Sequence, residues 1–165
     1  MKKSIYLIIA IFIFSTVSVF AFDGGFFGFG AEINGNSSEG AAVGGSLSLG
    51  LDLSTHWAIG MKTAFSYAEE VNTLEPGILV RWFTQAGAAV FYLQAELGTA
   101  ILFEVDTSQF TFMGGLTAGL QIPMGKGLYI APVLRAGYPF IWGAGLSLGM
   151  AFNNPRFENT EIINR

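Results

Sequence analysis

Five ionisable side chains, Glu32, Lys62, Arg81, Glu96 and Arg135, stand in stretches built otherwise from glycine, alanine, serine and large apolar residues. In the clearest stretch the charge falls on the positions held by the small residues. From Trp57 to Ala68 one set of alternating positions is Trp57, Ile59, Met61, Thr63, Phe65 and Tyr67; the other is Ala58, Gly60, Lys62, Ala64, Ser66 and Ala68. A β-strand sends alternate side chains to opposite faces, so the charge shares a face with the small residues, away from the greasy one. If that face is enclosed, each charge must be paired or wetted. Two chemistries fit: acids and bases that plug an interior by ion pairing, or a charged constriction that small neighbours leave open to water.

Other candidates are weaker. His56 is the one histidine and has neither serine nor acid placed beside it in a catalytic spacing. No metal-ligand cluster, phosphate loop or nucleophile elbow stands out, so no catalytic, metal or cofactor residues are expected. Gly28-Phe29-Gly30 lacks the following helix that a dinucleotide fingerprint needs. Glu69, Glu70, Glu104 and Asp106 fall in connectors, where they either collect divalent cations or keep a loop solvated.

Eight such strands are predicted to position the five charges. They run over about Phe26–Ile33, Ala41–Leu53, Trp57–Ala68, Leu74–Phe83, Val90–Phe103, Phe110–Ile122, Leu128–Tyr138 and Ile141–Phe152. The connectors are short and rich in turn residues, so consecutive strands should pair antiparallel. An even number of strands with tight connections fits an up-and-down barrel closed between the first and the eighth. Pro76 and Pro132 fall inside strands of a barrel that has no free edge, and Pro132 is expected to mark a bulge.

Composition points to a membrane. Charged residues are 12% of the chain, well below the roughly 25–35% of a soluble surface. Beyond the N-terminus no apolar run approaches the ~20 residues of a membrane helix. Strands remain as the way across, because lipid-exposed backbone must be paired throughout. Lys2 and Lys3, the apolar run Ile5–Phe14, and Val19-Phe20-Ala21 read as a cleaved export signal over 1–21. The expected organisation is that signal, a barrel over 22–152 and a short periplasmic tail over 153–165. The chain has no cysteine, and its net charge of −4 argues against a nucleic-acid partner.

If the N-terminus lies on the periplasmic side, the aromatic residues sort into two belts. Phe27, Trp57, Trp82, Phe91 and Phe152 fall at the periplasmic end; Tyr67, Phe103, Phe110, Tyr138 and Trp142 fall at the outer end. Lipid-facing strands carry such girdles at both interfaces.

The signal, the strand count and the last strand, Trp142 to Phe152, resemble the small eight-stranded outer-membrane barrels: the OmpA transmembrane domain, OmpX and OmpW-like pores. The resemblance implies an all-β transmembrane barrel in the cell outer membrane of a Gram-negative-type envelope. It implies lipid and lipopolysaccharide as surroundings, and periplasmic chaperones and the barrel-assembly machinery as partners during biogenesis. In that family the final strand commonly ends in an aromatic assembly signal, and Phe152 is the matching position. Asn153 to Arg165 departs from the pattern and is too short for a cell-wall-binding domain. It fits either a periplasmic end or a last strand that extends to Phe157. The deacylases among small barrels carry a His-x-Ser pair, which His56-Trp57-Ala58 lacks, so an enzyme is not expected. The leading reading is a structural or interaction protein with a plugged lumen. The alternatives are a narrow pore for small solutes or ions, and a soluble lipocalin-like lipid binder.

Overall fold

The computed structural model describes residues 24–36, 40–69, 71–84, 89–104 and 107–153. The expected signal, the tail beyond Asn153, Glu70 and Asp106 lie outside the described residues. Within them the chain forms eight strands: β1 (Gly25–Asn36), β2 (Gly40–Asp52), β3 (Trp57–Tyr67), β4 (Asn72–Phe83), β5 (Val90–Phe103), β6 (Ser108–Gly125), β7 (Leu128–Tyr138) and β8 (Trp142–Phe152). Each pairs antiparallel with its neighbours in sequence, and β8 returns to pair with β1.

The side-chain alternation sets the two surfaces. Along β3, Trp57, Ile59, Met61, Phe65 and Tyr67 are exposed, whereas Ala58, Lys62, Ala64 and Ser66 are buried. The same division holds around the barrel, with exposed leucine, phenylalanine, isoleucine and valine outside. A one-residue slip would exchange the two faces, so the apolar set fixes the register.

The register also fixes the barrel's dimensions. Stepping across paired residues from Gly25 passes through Leu51, Ile59, Val80, Ala95, Leu116, Ala136 and Trp142, then returns to β1 at Gly35. The return is ten residues from the start (35 − 25), a shear of ten. With ordinary strand spacings, that shear tilts the strands by roughly 40° and gives a backbone radius of roughly 8 Å. Each residue then climbs roughly 2.5 Å along the barrel axis, and each step to the next strand roughly 3 Å. Such an interior is wide enough for side chains to fill.

Several strand ends reach beyond the sequence expectation. Asn34, assigned to a connector, is buried inside β1 and donates from Nδ2 to the Ser66 hydroxyl at 3.0 Å. Leu53, expected as a strand residue, lies in the turn after β2, where its N–H bonds the Trp57 carbonyl at 2.8 Å. At the β6–β7 turn both Lys126 (φ 52°) and Gly127 (φ 77°) are left-handed, as a type I′ hairpin demands.

The expected bulge at Pro132 is not there. Pro132 pairs in register with Leu146 of β8. On the β6 side the ladder is interrupted between Gly119–Val133 and Ile122–Ile130, without a shift. The irregularity lies instead at Pro123/Gly125, beside the turn. Pro76 behaves like Pro132: it pairs with Thr63 of β3, and the β4–β5 ladder is interrupted between Leu74–Ile101 and Gly77–Gly98. A proline removes one donor, so the ladder loses local pairing while the flanking pairs hold the register. Both rings lie on the exposed outer face.

Candidate functional site

The lumen has two zones. The first lies at the end that holds the start of β1 and the short turns. Phe26, Leu79, Phe83 and Val90 are fully buried there, and Tyr92, Tyr129, Ala58, Ala131 and Ala151 complete the cluster. Three of its four inward rings share one arrangement. Phe26 is paired with Gly50, Tyr92 with Gly119 and Tyr129 with Gly149. A Cβ at any of these glycines would run into the ring opposite. The ring of one strand thus lies over the bare backbone of the next, and the glycines leave space that aromatic surface fills.

Arg81 stands at the upper edge of this zone. Its guanidinium carbon sits 4.0 Å from the centroid of the Phe26 ring and 4.3 Å from that of Tyr92. A planar cation between two ring faces gains both quadrupole attraction and apolar contact. Its Nε donates to Gln94 Oε1 at 2.7 Å.

The second zone, farther along the axis, is charged. Lys62 Nζ lies 3.0 Å from Glu32 Oε1 and 3.4 Å from Glu96 Oε1. Arg135 pairs with Glu75 through Nη2 and approaches Glu32 Oε2 at 4.0 Å through Nη1. Hydroxyls and an amide add to the shells of two of the carboxylates. Ser46 donates to Glu32 at 2.6 Å, Thr117 to Glu96 at 2.9 Å, and Gln94 Nε2 to Glu96 at 2.6 Å. Gln94 therefore links the zones, accepting from Arg81 and donating to Glu96. Glu32, Glu75 and Glu96 balance Lys62, Arg81 and Arg135, all six buried. Buried charges of this kind are tolerable only when paired and hydrogen-bonded.

Of the five charges expected to cluster, four meet directly. Arg81 joins them only through Gln94. Glu75 was missed, although it shares the inward parity of Arg81 on the same strand. The expected strand starts at Leu74, two residues before Pro76, which puts Glu75 at a strand end. Glu32, Lys62, Arg81, Gln94, Tyr92 and Val133 are among the residues that border a void of about 30 Å³, room for about one water molecule.

The candidates outside the lumen are spread apart. His56 is exposed in the β2–β3 turn, with its Nδ1 3.0 Å from the neighbouring Thr55 hydroxyl. Glu104 is exposed and accepts from the Thr107 hydroxyl at 3.2 Å. Among the described residues no three metal-ligating side chains come together. In the aromatic belts, Trp57 and Trp82 are directly opposite one another across β3 and β4. Phe27 and Phe91 are exposed near that end, and Phe152 is half-buried. At the other end Tyr67, Tyr138 and Trp142 are exposed. Phe110 stands four residues beyond the Gly114–Tyr138 pair, because β6 continues to Ser108 after β7 has ended. With Phe103 it rides a hairpin that rises above Tyr138 by roughly 7 Å.

No family model and no curated protein matches the chain. Solved structures do. The N-terminal β-barrel domain of Pseudomonas aeruginosa OprF superposes with a TM-score of 0.63 at 16% identity, covering 79% of this chain and 98% of that one. Neisserial surface protein A superposes at 0.58 with 17% identity, covering 78% and 96%. A de novo designed transmembrane β-barrel superposes at 0.53 with 12% identity, covering 77% and 95%. The fold is that of the small eight-stranded transmembrane barrels, the architecture of outer-membrane proteins. That a designed sequence shares it illustrates why the activity must be argued from the site.

Proposed function

We propose that the chain is an integral outer-membrane barrel with a structural or interaction role and a sealed lumen, the N-terminus of β1 facing the periplasm. One observation carries this reading. The interior is occupied from one end by packed rings and farther along by a charge-balanced network, with a water-sized void between. A sealed barrel leaves function to the surfaces it presents. These are the lipid-facing belt, lipopolysaccharide around the outer rim, and the outer turns. The export signal, the chaperone and assembly-machinery partners, and Phe152 as assembly signal belong to the same reading. The apolar outer face speaks against a soluble lipocalin-like binder, whose charges would be outside. The absence of a His-x-Ser pair at His56 speaks against a deacylase.

A narrow pore is the second reading, favoured by the small lining residues and by buried polar atoms in the charged zone. Glu75 Oε1 and Arg135 Nε have no hydrogen-bond partner among the described residues, so water would be welcome there. Single-channel recording decides between the two, after a heat-shifted gel band establishes a folded barrel in lipid. A folded, silent barrel is expected. Discrete current steps that change in Arg135→Ala would replace the sealed reading with a charged pore.

A further inference from the structure

The outward face of β3 to β6 is not evenly covered. A groove of about 440 Å³ runs across it, lined chiefly by Trp57, Val80, Trp82, Leu93, Ala95 and Leu116. Its floor is the methyl group of Ala95, directly paired with Val80 on one side and Leu116 on the other. These larger neighbours form the walls. At one end the opposed indoles of Trp57 and Trp82 bracket it.

The groove's length carries the argument. From Trp57 to Leu116 the register climbs two residues along β3 and three strand steps, roughly 14 Å along the axis. That is about half of the apolar band of a membrane barrel, roughly 25 Å tall. The groove therefore spans one leaflet, from the interfacial tryptophans to the bilayer midplane. It is continuous with the exposed apolar belt and its lining is apolar, so its occupant is hydrocarbon. The two tryptophans stand at the end where a lipid's polar part begins, and tryptophan at that depth combines apolar area with a donor for headgroup oxygens.

We propose that this groove is a binding site for one phospholipid acyl chain of the leaflet at the turn end of the barrel, with the headgroup held beside Trp57 and Trp82. The proposal rests on the membrane reading above. It makes Ala95 the residue that determines binding, since a larger side chain there would fill the floor.

Native mass spectrometry of the full chain extracted from phosphatidylethanolamine–phosphatidylglycerol membranes tests it. One retained phospholipid per barrel is expected. Ala95→Leu should lower that occupancy at least tenfold. Ala31→Leu, an equally outward and exposed position on the far side, should leave it unchanged. A second measurement avoids the groove variant altogether. In Trp142→Phe, phosphatidylethanolamine brominated on its acyl chain should quench the two remaining indoles, and the quenching should persist when bulk lipid is diluted into detergent. A membrane-inserted barrel that retains no lipid, or an Ala95→Leu variant that retains it equally, overturns the groove alone. A doubled mass blocked by Ala95→Leu overturns it in favour of a second copy of the chain. A chain that never enters membranes overturns both this inference and the membrane reading.

Discussion

The two ends of the lumen solve the same problem with opposite chemistry. One fills its space with rings laid over glycines; the other fills it with carboxylates, ammonium and guanidinium groups. The aromatic end is less coupled: most of what each ring contributes is its own area and dispersion contacts, with Arg81 shared between Phe26 and Tyr92. The charged end is coupled, because Glu32 serves Lys62 and Arg135, and Glu96 serves Lys62, Gln94 and Thr117. Losing one member there leaves another charge buried without its partner. The difference is in tolerance to single changes more than in net stability.

The largest effect should follow from breaking the coupled end. Arg135→Ala strands Glu75 and is expected to destabilise the barrel by about 3–5 kcal/mol, read from urea unfolding in lipid vesicles. Replacing both partners, in Glu75→Leu with Arg135→Met, should recover most of that loss, because the stranded charge is gone. A double variant as unstable as Arg135→Ala would contradict the coupling, and the comparison between the ends would lose its basis.

At the aromatic end, Phe26→Ala should cost about 3 kcal/mol from lost transfer and a residual cavity. Single-channel recordings of it should remain silent, since the charged zone still closes the lumen. Steady conductance in this variant would mean that the rings, and not the charges, make the seal. A smaller test is Gly119→Ala. The added Cβ meets the Tyr92 ring, and overpacking of this kind should cost about 1–2 kcal/mol. An unchanged urea midpoint would show that the ring shifts freely and that the glycine seat is not a constraint.

Much of this architecture was legible in the chain. Alternation gave the faces, because a strand's period of two is set by covalent geometry. Six of the eight strands, for example Trp57–Tyr67 and Val90–Phe103, begin and end within two residues of their expected limits. The other two, the first and the sixth, ran three residues longer at one end. Asn34 and Ser108 were misread because turn-type residues can serve in a strand once a partner strand supplies their hydrogen bonds. Pro132 was misread as a bulge because a missing donor signals interrupted pairing without saying which neighbour loses it. The inward direction of Lys62, Glu96 and Arg135 was readable from parity. Their partners were not: Glu75 and Arg135 are sixty positions apart, and only the closed barrel brings their side chains within reach.

The sequence by itself determined that this chain makes an eight-stranded barrel with an apolar outside and a small, charged inside, because local periodicity fixes which face each residue takes. Only the tertiary structure decided how the inside divides. A shear of ten sets the vertical offset between strands. It brings Lys62, Glu32, Glu96, Arg135 and Glu75 to one region and leaves Arg81 stacked among the rings. It also aligns two tryptophans with Ala95 to cut a groove in the outward face. Those outcomes depend on closure, a property of all eight strands together that no single stretch of residues contains.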